Sequence, residues 1–545
     1  MNMKWIWMQT RRRLAILSAY PFALLLTLAI TLTGLTFAAT AGSAVVQATP
    51  DDPNAPDIAK GYTPGAIDWQ PCPENTELDC GTLTLPVDDQ QPRGETFDMA
   101  VIRASALDVS KRIGVLFTHP GAHLSGVDFI LSGVDTPAFH RIRERFDIVS
   151  LDPRGAGRTR KLDCGFEPPE VPSDPSDASL MAYFDDYGQR LAEQCLEQEQ
   201  DFVLSISANT FARDIERVRQ ALGERQLSFV MISNSGPVAA VYASHFPKHV
   251  RAMLIDSTVA PEFRDYIIER WSEESASYDL ALQRVDQLCR QDASCPLRET
   301  GVVAAFDIVF AGLLTEPVMA PNGMTFTARD LSDIFFFHLL PVEQRWPLIV
   351  VALSQALAGD FTFFFQLQSP PSNAGNGIMA RSCNDYGTRR TAADYFPIVE
   401  AVGDTYPRFI GRLMLASFIA SCSAWPEADP PIIHNVQHHL NVPILLIGSE
   451  FDPEAPLSWT KRMAQALGMA QHVVRYQGGG HGLVGRRDVP CINDVIDAYL
   501  FDLRLPSAGY TCPAVSLAPR VQQNSTQTFD AANDEPWGVE PMDIR

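Results

Sequence analysis

The chain has 545 residues, of which 46% are hydrophobic and 20% are charged. This composition is typical of a globular protein, and the length predicts either one enlarged domain or a core with an inserted domain. The formal net charge of −22 repels phosphate backbones and anionic lipid headgroups. It therefore argues against nucleic-acid binding and against docking on an anionic membrane surface.

The N-terminus has the pattern of an export signal. Arg11–Arg13 precede an uncharged segment from residue 14 to residue 50, whose apolar part ends in small residues. This order of basic, apolar and small residues is typical of a secretory signal, and we expect cleavage between Ala39 and Ala48. Because roughly 20 apolar residues can also span a bilayer, an uncleaved anchor in residues 1–48 is the alternative. Both interpretations predict an exported protein, secreted or held in the cell envelope, with no membrane contact outside this segment.

The cysteines agree with an oxidising compartment. The chain has 10 cysteines, without a C-x-x-C pair and without a Cys/His cluster at zinc spacing. An even number in an exported protein favours disulfides, although free buried thiols are an alternative for some of them. The predicted pairs are Cys72–Cys80, Cys164–Cys195, Cys289–Cys295, Cys383–Cys422 and Cys491–Cys512.

Short apolar runs of strand length alternate with helical patterns along much of the chain. Helical spacing of Phe211, Ile215, Val218 and Leu222 predicts one helix, from Thr210 to Leu222. Strands that alternate with helices predict a mostly parallel sheet covered on both faces. The predicted strands are Ile113–Phe117, Phe146–Leu151, Leu227–Ile232, Ala252–Ile255, Pro443–Ile447 and His472–Tyr476.

This alternation stops after Ile255 and resumes near Pro443. The intervening sequence is long and mainly helical in pattern, which predicts an inserted helical cap over residues 261–435. The cap divides the core into an N-terminal part, residues 62–260, and a C-terminal part, residues 436–515. A polar tail follows at residues 516–545.

A serine stands at the junction between a predicted strand and a predicted helix. Ser233 follows the strand Leu227–Ile232, and a helical pattern begins at Gly236. A nucleophilic serine on such a sharp turn is exposed above the sheet. Glycines are usual two residues before and after that serine, but here the positions hold Met231 and Ser235. Ser233 is therefore the candidate nucleophile, and Ser235 is the alternative.

Two further residues complete a candidate triad. Asp452 follows a predicted strand, and His481 is set among Gly478, Gly479, Gly480 and Gly482. The order Ser, Asp, His along the chain is that of α/β-hydrolases. The predicted fold is thus an α/β-hydrolase fold, with a mostly parallel central sheet and an inserted, mainly helical cap. For the oxyanion hole, the N–H groups of Gly121 and Asn234 are the predicted donors.

Several local motifs carry a family resemblance, which spans roughly residues 68–513. They are Trp69-Gln70-Pro71-Cys72, Asp152-Pro153-Arg154-Gly155, Gly448-Ser449-Glu450-Phe451-Asp452-Pro453 and Gly480-His481-Gly482. With them the chain resembles the tripeptidyl-aminopeptidase and proline-iminopeptidase branch of secreted α/β-hydrolase serine peptidases, with a tripeptidyl-aminopeptidase-like C-terminal region. Two segments depart from the family pattern. Where the family elbow has the pattern G-x-S-x-G, this chain has Met231-Ile232-Ser233-Asn234-Ser235. Where the family has a glycine-rich oxyanion loop, this chain has Pro120-Gly121-Ala122-His123-Leu124-Ser125-Gly126.

The resemblance implies a serine hydrolase of the peptidase type that releases short peptides or single residues from N-termini through an acyl-enzyme. It implies no cofactor and no metal, and a peptide or small acyl substrate. In this family acidic cap residues meet the substrate amine, which makes Glu269, Glu273 and Glu274 candidates. Two alternatives stay open: an esterase or lipase on the same scaffold, and a catalytically weakened or inactive binding protein. The sequence does not determine the oligomeric state.

Overall fold

A computed structural model describes most of the chain outside its two ends. The described residues are 62–166, 169, 177–261, 266–320, 323, 325–339, 342–367, 376–386, 389–408, 422–426, 444–484 and 489–515. The predicted signal or anchor at residues 1–48 and the polar tail at residues 516–545 lie outside them. Within these ranges no helix has the length and apolar character needed to cross a membrane.

A ten-stranded sheet forms the centre of the fold, in the order β1-β2-β3-β5-β4-β6-β7-β10-β11-β12. From β5 to β12 every neighbouring pair is parallel, and β1, β2 and β3 add an antiparallel edge. A separate antiparallel pair joins β8 to β9. The strands are β1 Asp68–Pro71, β2 Asp79–Pro86, β3 Thr96–Ala104, β4 Gly114–His119, β5 Phe146–Leu151, β6 Leu227–Ile232, β7 Val250–Asp256, β8 Val318–Met319, β9 Thr325–Phe326, β10 Leu445–Phe451, β11 Val473–Gly479 and β12 Thr511–Cys512.

Helices cover both faces of the parallel strands, as the sequence predicted. Strand β6 is buried at every position. Its side chains divide between two cores, with Phe229 and Met231 in one and Val230 and Ile232 in the other. The helices are α1 Gly126–Gly133, α2 Pro137–Arg143, α3 Asp177–Leu204, α4 Ala208–Ala221, α5 Gly236–His245, α6 Tyr266–Gln291, α7 Val302–Thr315, α8 Ala328–Leu339, α9 Val342–Leu357, α10 Thr362–Leu367, α11 Gly377–Asp385, α12 Ala392–Thr405, α13 Leu457–Ala466 and α14 Pro490–Asp502.

Residues 261–435 contribute helices α6 to α12 and the β8–β9 hairpin in their described part. Their interior is aromatic. Phe335 packs edge-on against Phe306 with ring centroids 4.8 Å apart, and the Phe364 ring lies 5.6 Å from that of Phe326. All four rings are buried. These rings belong to the same buried cluster as Phe229 and Met231 of β6, so the described part of this segment shares a continuous hydrophobic core with the sheet. The bounds of the cap stay a prediction.

The structure contains five disulfides, and they are the five pairs predicted from the sequence. Two of them close short loops, Cys72–Cys80 and Cys289–Cys295. The others are Cys164–Cys195, Cys383–Cys422 and Cys491–Cys512. No cysteine remains free.

Candidate active site

Ser233 lies on a sharp turn between β6 and α5. A single helical turn, Ser233–Ser235, connects the strand to the helix. The φ angle of Ser233 is +55°, in the left-handed region that residues with a Cβ rarely adopt. Backbone strain of this kind is concentrated at functional sites. Ser233 is thus held in the conformation expected of a nucleophile elbow.

The residues that replace the elbow glycines are accommodated in different ways. Met231 is fully buried in the same hydrophobic core as Phe229. The Ser235 hydroxyl donates to the carbonyl oxygens of Ile232, at 2.6 Å, and His119, at 3.0 Å, so it is committed to the fold. The first residue of α5, Gly236, lies tightly against the segment after β7, since a Cβ there would lie 1.8 Å from Oγ1 of Thr258.

Asp452 and His481 are paired at the ends of β10 and β11. The His481 Nδ1 lies 3.0 Å from Oδ2 and 3.1 Å from Oδ1 of the fully buried Asp452. The backbone N–H groups of Glu454 and Ala455 donate to Asp452 Oδ1, at 2.9 and 2.8 Å. From the cap, Ser277 Oγ donates to the Asp452 carbonyl at 2.6 Å. The acid is therefore held from three sides.

The surroundings of His481 are strongly acidic. Burial acts to lower the pKa of His481, but the carboxylates of Asp452, Glu454 and Asp256 outweigh it and raise that pKa to about 10. Glu454 is the second partner, with Oε2 3.4 Å from Nε2 of His481. The Ser233 hydroxyl makes no hydrogen bond to His481 within the described residues, and such bonds often tighten only when substrate binds.

Asp256 fixes the loop that carries His481. It is the last residue of β7 and is fully buried, and its Oδ2 accepts from the N–H groups of Leu483 at 2.6 Å and Val484 at 2.7 Å. Burial raises the pKa of Asp256 to about 6, against these hydrogen bonds and the His481 charge. Sequence reasoning did not single out Asp256, although an aspartate directly after a predicted strand was the same signal that identified Asp452.

The prediction for Gly121 needs a correction. Its N–H donates to Nδ1 of the His119 side chain at 3.1 Å. This N–H is therefore not free to meet an oxyanion in this structure. Gly121 still lies against the elbow, since a Cβ there would be 2.6 Å from the Ile232 carbonyl oxygen and 2.9 Å from the Asn234 nitrogen.

The N–H of Asn234, the residue directly after Ser233, stays the other predicted oxyanion donor. Asn234 is the second residue of the helical turn Ser233–Ser235, where a backbone N–H has no acceptor within the helix. Its carbonyl oxygen accepts from Nη2 of Arg381, a buried side chain of α11, at 2.9 Å. The cap thus contacts the peptide unit beside Ser233.

Neutral histidines support the oxyanion loop. His119 Nε2 lies 3.1 Å from the Leu124 carbonyl oxygen, and His123 Nε2 lies 2.7 Å from that of Arg154. Burial, helped by the Arg381 charge, lowers the pKa of His123 to about 3 and that of His119 well below its usual range. Both rings therefore donate through Nε2–H and hold the loop without adding charge.

The three cap glutamates lie in different surroundings. The carboxylate of Glu273 accepts from Trp459 Nε1 at 2.8 Å and Arg462 Nη1 at 2.6 Å, so it ties the cap to α13. Glu269 lies 4.0 Å from the same arginine. Glu274 interacts with the charges of His481 and Glu454. Burial raises the pKa of Glu274 to about 7, although Arg270 acts against it.

The four predicted site segments all follow the carboxyl ends of parallel strands: Gly121 after β4, Ser233 after β6, Asp452 after β10 and His481 after β11. This edge is where open α/β sheets bind their ligands. Within the described residues, no group of three or more His, Cys, Asp or Glu side chains could hold a metal ion. The arrangement of a strained serine and a buried Asp–His pair at this edge is suited to acyl transfer.

Comparison with known proteins gives two family matches. Residues 119–302 match the model described as alpha/beta hydrolase fold, and residues 407–512 match the model described as TAP-like protein. The chain is 28% identical over 478 residues to a tripeptidyl aminopeptidase of Streptomyces lividans, covering 82% of this chain and 86% of that protein.

Two further relatives are mycobacterial. The chain is 24% identical over 495 residues to serine protease Hip1 of Mycobacterium tuberculosis, covering 82% of this chain and 91% of that protein. It is 25% identical over 493 residues to a carboxylesterase B of the same species, covering 83% and 92%.

Proposed function

We propose, from the premise that this chain belongs to the α/β-hydrolase fold family and is a serine hydrolase, that it is an exported aminopeptidase. It releases short peptides or single residues from the N-termini of peptide substrates. The observation that carries the proposal is the buried Asp452–His481 pair, with His481 Nδ1 3.0 Å from the carboxylate, at the same sheet edge as the strained Ser233. The similarity to a tripeptidyl aminopeptidase supports the substrate class.

In the proposed mechanism, Ser233 Oγ attacks the carbonyl carbon and His481 Nε2 takes the hydroxyl proton. Asp452 orients the imidazole and stabilises its charged form. The N–H of Asn234 donates to the oxyanion. The His481 proton then passes to the leaving amine, an acyl-enzyme remains on Ser233, and water releases it by the same steps in reverse. No step needs a cofactor or a metal.

An esterase is the second candidate, and the similarity to a carboxylesterase B favours it. The two functions differ in what they require next to the scissile carbonyl. An aminopeptidase has to recognise a free amine, whereas an esterase has to accept an uncharged acyl group.

Substrate profiling with blocked and unblocked amines tests the proposal. We would measure kcat/KM for a tripeptidyl p-nitroanilide with a free N-terminus, the same compound N-acetylated, an aminoacyl p-nitroanilide and p-nitrophenyl butyrate. The proposal predicts that a free-amine substrate is cleaved best and that acetylation abolishes most of that activity. Ser233→Ala must lose every activity. Equal cleavage of the acetylated peptide, or cleavage of the ester alone, would contradict the aminopeptidase.

The proposal of export is supported by the N-terminal pattern, the five disulfides and the similarity to serine protease Hip1. Expression of the full chain, followed by fractionation and N-terminal sequencing, tests it. We expect the mature protein outside the cytoplasm and starting between residues 40 and 49, and an intact N-terminus in the membrane fraction would identify the anchor instead. Full-length protein in the cytoplasm would contradict export.

A further inference from the structure

Both ring nitrogens of His481 face carboxylates. Asp452 lies beside Nδ1, as in any Ser-His-Asp triad, while Glu454 Oε2 lies 3.4 Å from Nε2. Nε2 is the nitrogen that has to accept the Ser233 proton in the proposed mechanism. A carboxylate at this position favours an Nε2 that already carries a proton.

Glu454 is held there by its own turn. Its backbone N–H donates to Asp452 Oδ1 at 2.9 Å, so the acid of the triad fixes the residue two positions later. Its side chain is only 14% exposed. On its other side, Arg270 Nη2 of the cap helix α6 lies 3.8 Å from Glu454 Oε1. The Glu454 carboxylate therefore stands between two cations, His481 and Arg270.

The charges that face His481 come from three segments. The β10 end supplies Asp452 and Glu454, the β7 end supplies Asp256, and the cap helix α6 supplies Glu274 together with Arg270. Arg270 is already paired with Glu274 at 3.1 Å. Acids outnumber bases around the imidazole, and this excess is why the pKa of His481 is raised despite burial.

We propose that Glu454 is a further residue of the catalytic site, which holds the Nε2 proton of His481 and thereby sets the lower limit of the pH range in which His481 acts as a base. The inference rests on the proposed function, because it takes His481 as the base. At low pH the Nε2–H faces Glu454 and Ser233 cannot give up its proton. At higher pH that proton leaves to solvent, the Nε2 lone pair becomes available, and the Ser233 proton moves to it as the Oγ–C bond forms.

The test is the pH dependence of serine labelling in Glu454→Gln. Removing the negative charge lowers the pKa of His481, because the imidazolium loses one of its stabilising partners. A shift of one pH unit changes the fraction of neutral imidazole about tenfold. We therefore expect the midpoint of fluorophosphonate labelling to move down by about one unit or more in E454Q, and labelling at pH 7 to become about tenfold faster.

Two controls accompany this measurement. Glu450→Gln removes the same charge from the same strand end at a residue that pairs with Arg475, and it should follow the wild-type profile. Glu454→Ala should shift the midpoint in the same direction as E454Q, which covers the case in which one variant folds poorly. An unchanged midpoint in folded E454Q or E454A, whatever the rate, overturns the inference. Absence of labelling in the wild type at every pH would instead overturn the proposed function, and this inference with it.

Discussion

At the scale of single residues, the elbow and the oxyanion loop depend on contacts that leave no room for a side chain. A Cβ on Gly121 would lie 2.6 Å from the Ile232 carbonyl oxygen and 2.8 Å from the Ser233 Cβ, and its φ is +97°. Gly121→Ala therefore has to displace the elbow. Because a displaced elbow misplaces both Ser233 and the Asn234 N–H, we expect fluorophosphonate labelling to slow by on the order of a hundredfold.

Gly223→Ala is the matched control for this variant. Gly223 also has a positive φ, +70°, but nothing lies within 4 Å of its added Cβ. It should lose about 1 kcal/mol of stability from backbone strain and label at the wild-type rate. If G121A labels as fast as G223A, the contact between the loop and the elbow has no part in activity.

Glu274 makes stability depend on pH. Its pKa is raised to about 7 in the folded protein, mainly by burial, from 4.5. The folded state therefore binds the proton more tightly than the unfolded state, so this stabilisation is full at pH 4 and is lost as the pH rises through 7. Glu274→Gln mimics the protonated form. This variant should increase the free energy of unfolding at pH 8.5 by up to about 3 kcal/mol, and the melting temperature should rise accordingly. At pH 5 both quantities should change little. A lower melting temperature at pH 8.5 would contradict this account.

Candidate site residues could be predicted only where a local sequence pattern marks them. Ser233, Asp452 and His481 each follow a strand, and the chain order identified them. The place of Glu454 beside His481 was not predicted, because it depends on how the turn after Asp452 directs that side chain. The Gly121 N–H was assigned without its acceptor, since the orientation of the His119 ring cannot be read from the sequence.

At the scale of elements, the segment Asp152-Pro153-Arg154-Gly155 holds the oxyanion loop in place through hydrogen bonds. Asp152 Oδ1 accepts from Ser125 Oγ at 2.6 Å and from the N–H of Val127 at 3.0 Å. The Arg154 carbonyl oxygen accepts from His123. The Arg154 guanidinium donates two hydrogen bonds to Asp214, each at 2.9 Å. This family motif is therefore structural, and it joins the loop to helix α4.

Arg154→Met tests this support. The ion pair is almost fully buried, with exposed side-chain fractions of 2% for Arg154 and 3% for Asp214. Removing one partner leaves a buried uncompensated charge, which costs about 3–5 kcal/mol of the free energy of unfolding. Urea unfolding measures it. Arg504→Met, which breaks the exposed pair with Asp502, should cost less than about 1 kcal/mol. Equal losses in the two variants would contradict the role of Arg154.

Among the elements, the parallel strands were predictable and the antiparallel edge was not. Strands β5 and β6 have the predicted bounds, because strands covered on both faces are continuous apolar runs. Strand β2 buries only alternate residues along part of its length, so its sequence has no such run. The prediction of the helix from Thr210 to Leu222 was also close, since α4 spans Ala208–Ala221.

At the scale of the whole molecule, three disulfides lie within the predicted core and two within the predicted cap. The pair Cys383–Cys422 closes a sequence separation of 39 residues within the cap, and Cys491–Cys512 joins α14 to the edge strand β12. Each such bond typically contributes 2–5 kcal/mol to a secreted domain. Neighbouring cysteines were easy to pair from sequence, whereas distant pairs depend on the chain path.

Thiol counting by mass spectrometry tests the pairing. The denatured but unreduced protein should take up no alkylating reagent, and after reduction it should take up one equivalent for each of its 10 cysteines. Reduction should also lower the melting temperature by several degrees. Alkylation before reduction would show that at least one predicted pair is absent from the isolated protein.

The central claim is that this molecule is a serine hydrolase whose nucleophile is Ser233, and active-site labelling tests it most directly. Intact-mass measurement after fluorophosphonate treatment between about pH 6 and 10 should show one adduct on the wild type. Ser233→Ala should show none, while Ser235→Ala, whose hydroxyl serves the fold, should keep the adduct. An adduct that persists in S233A and disappears in S235A, or a wild type that never labels, would contradict the account.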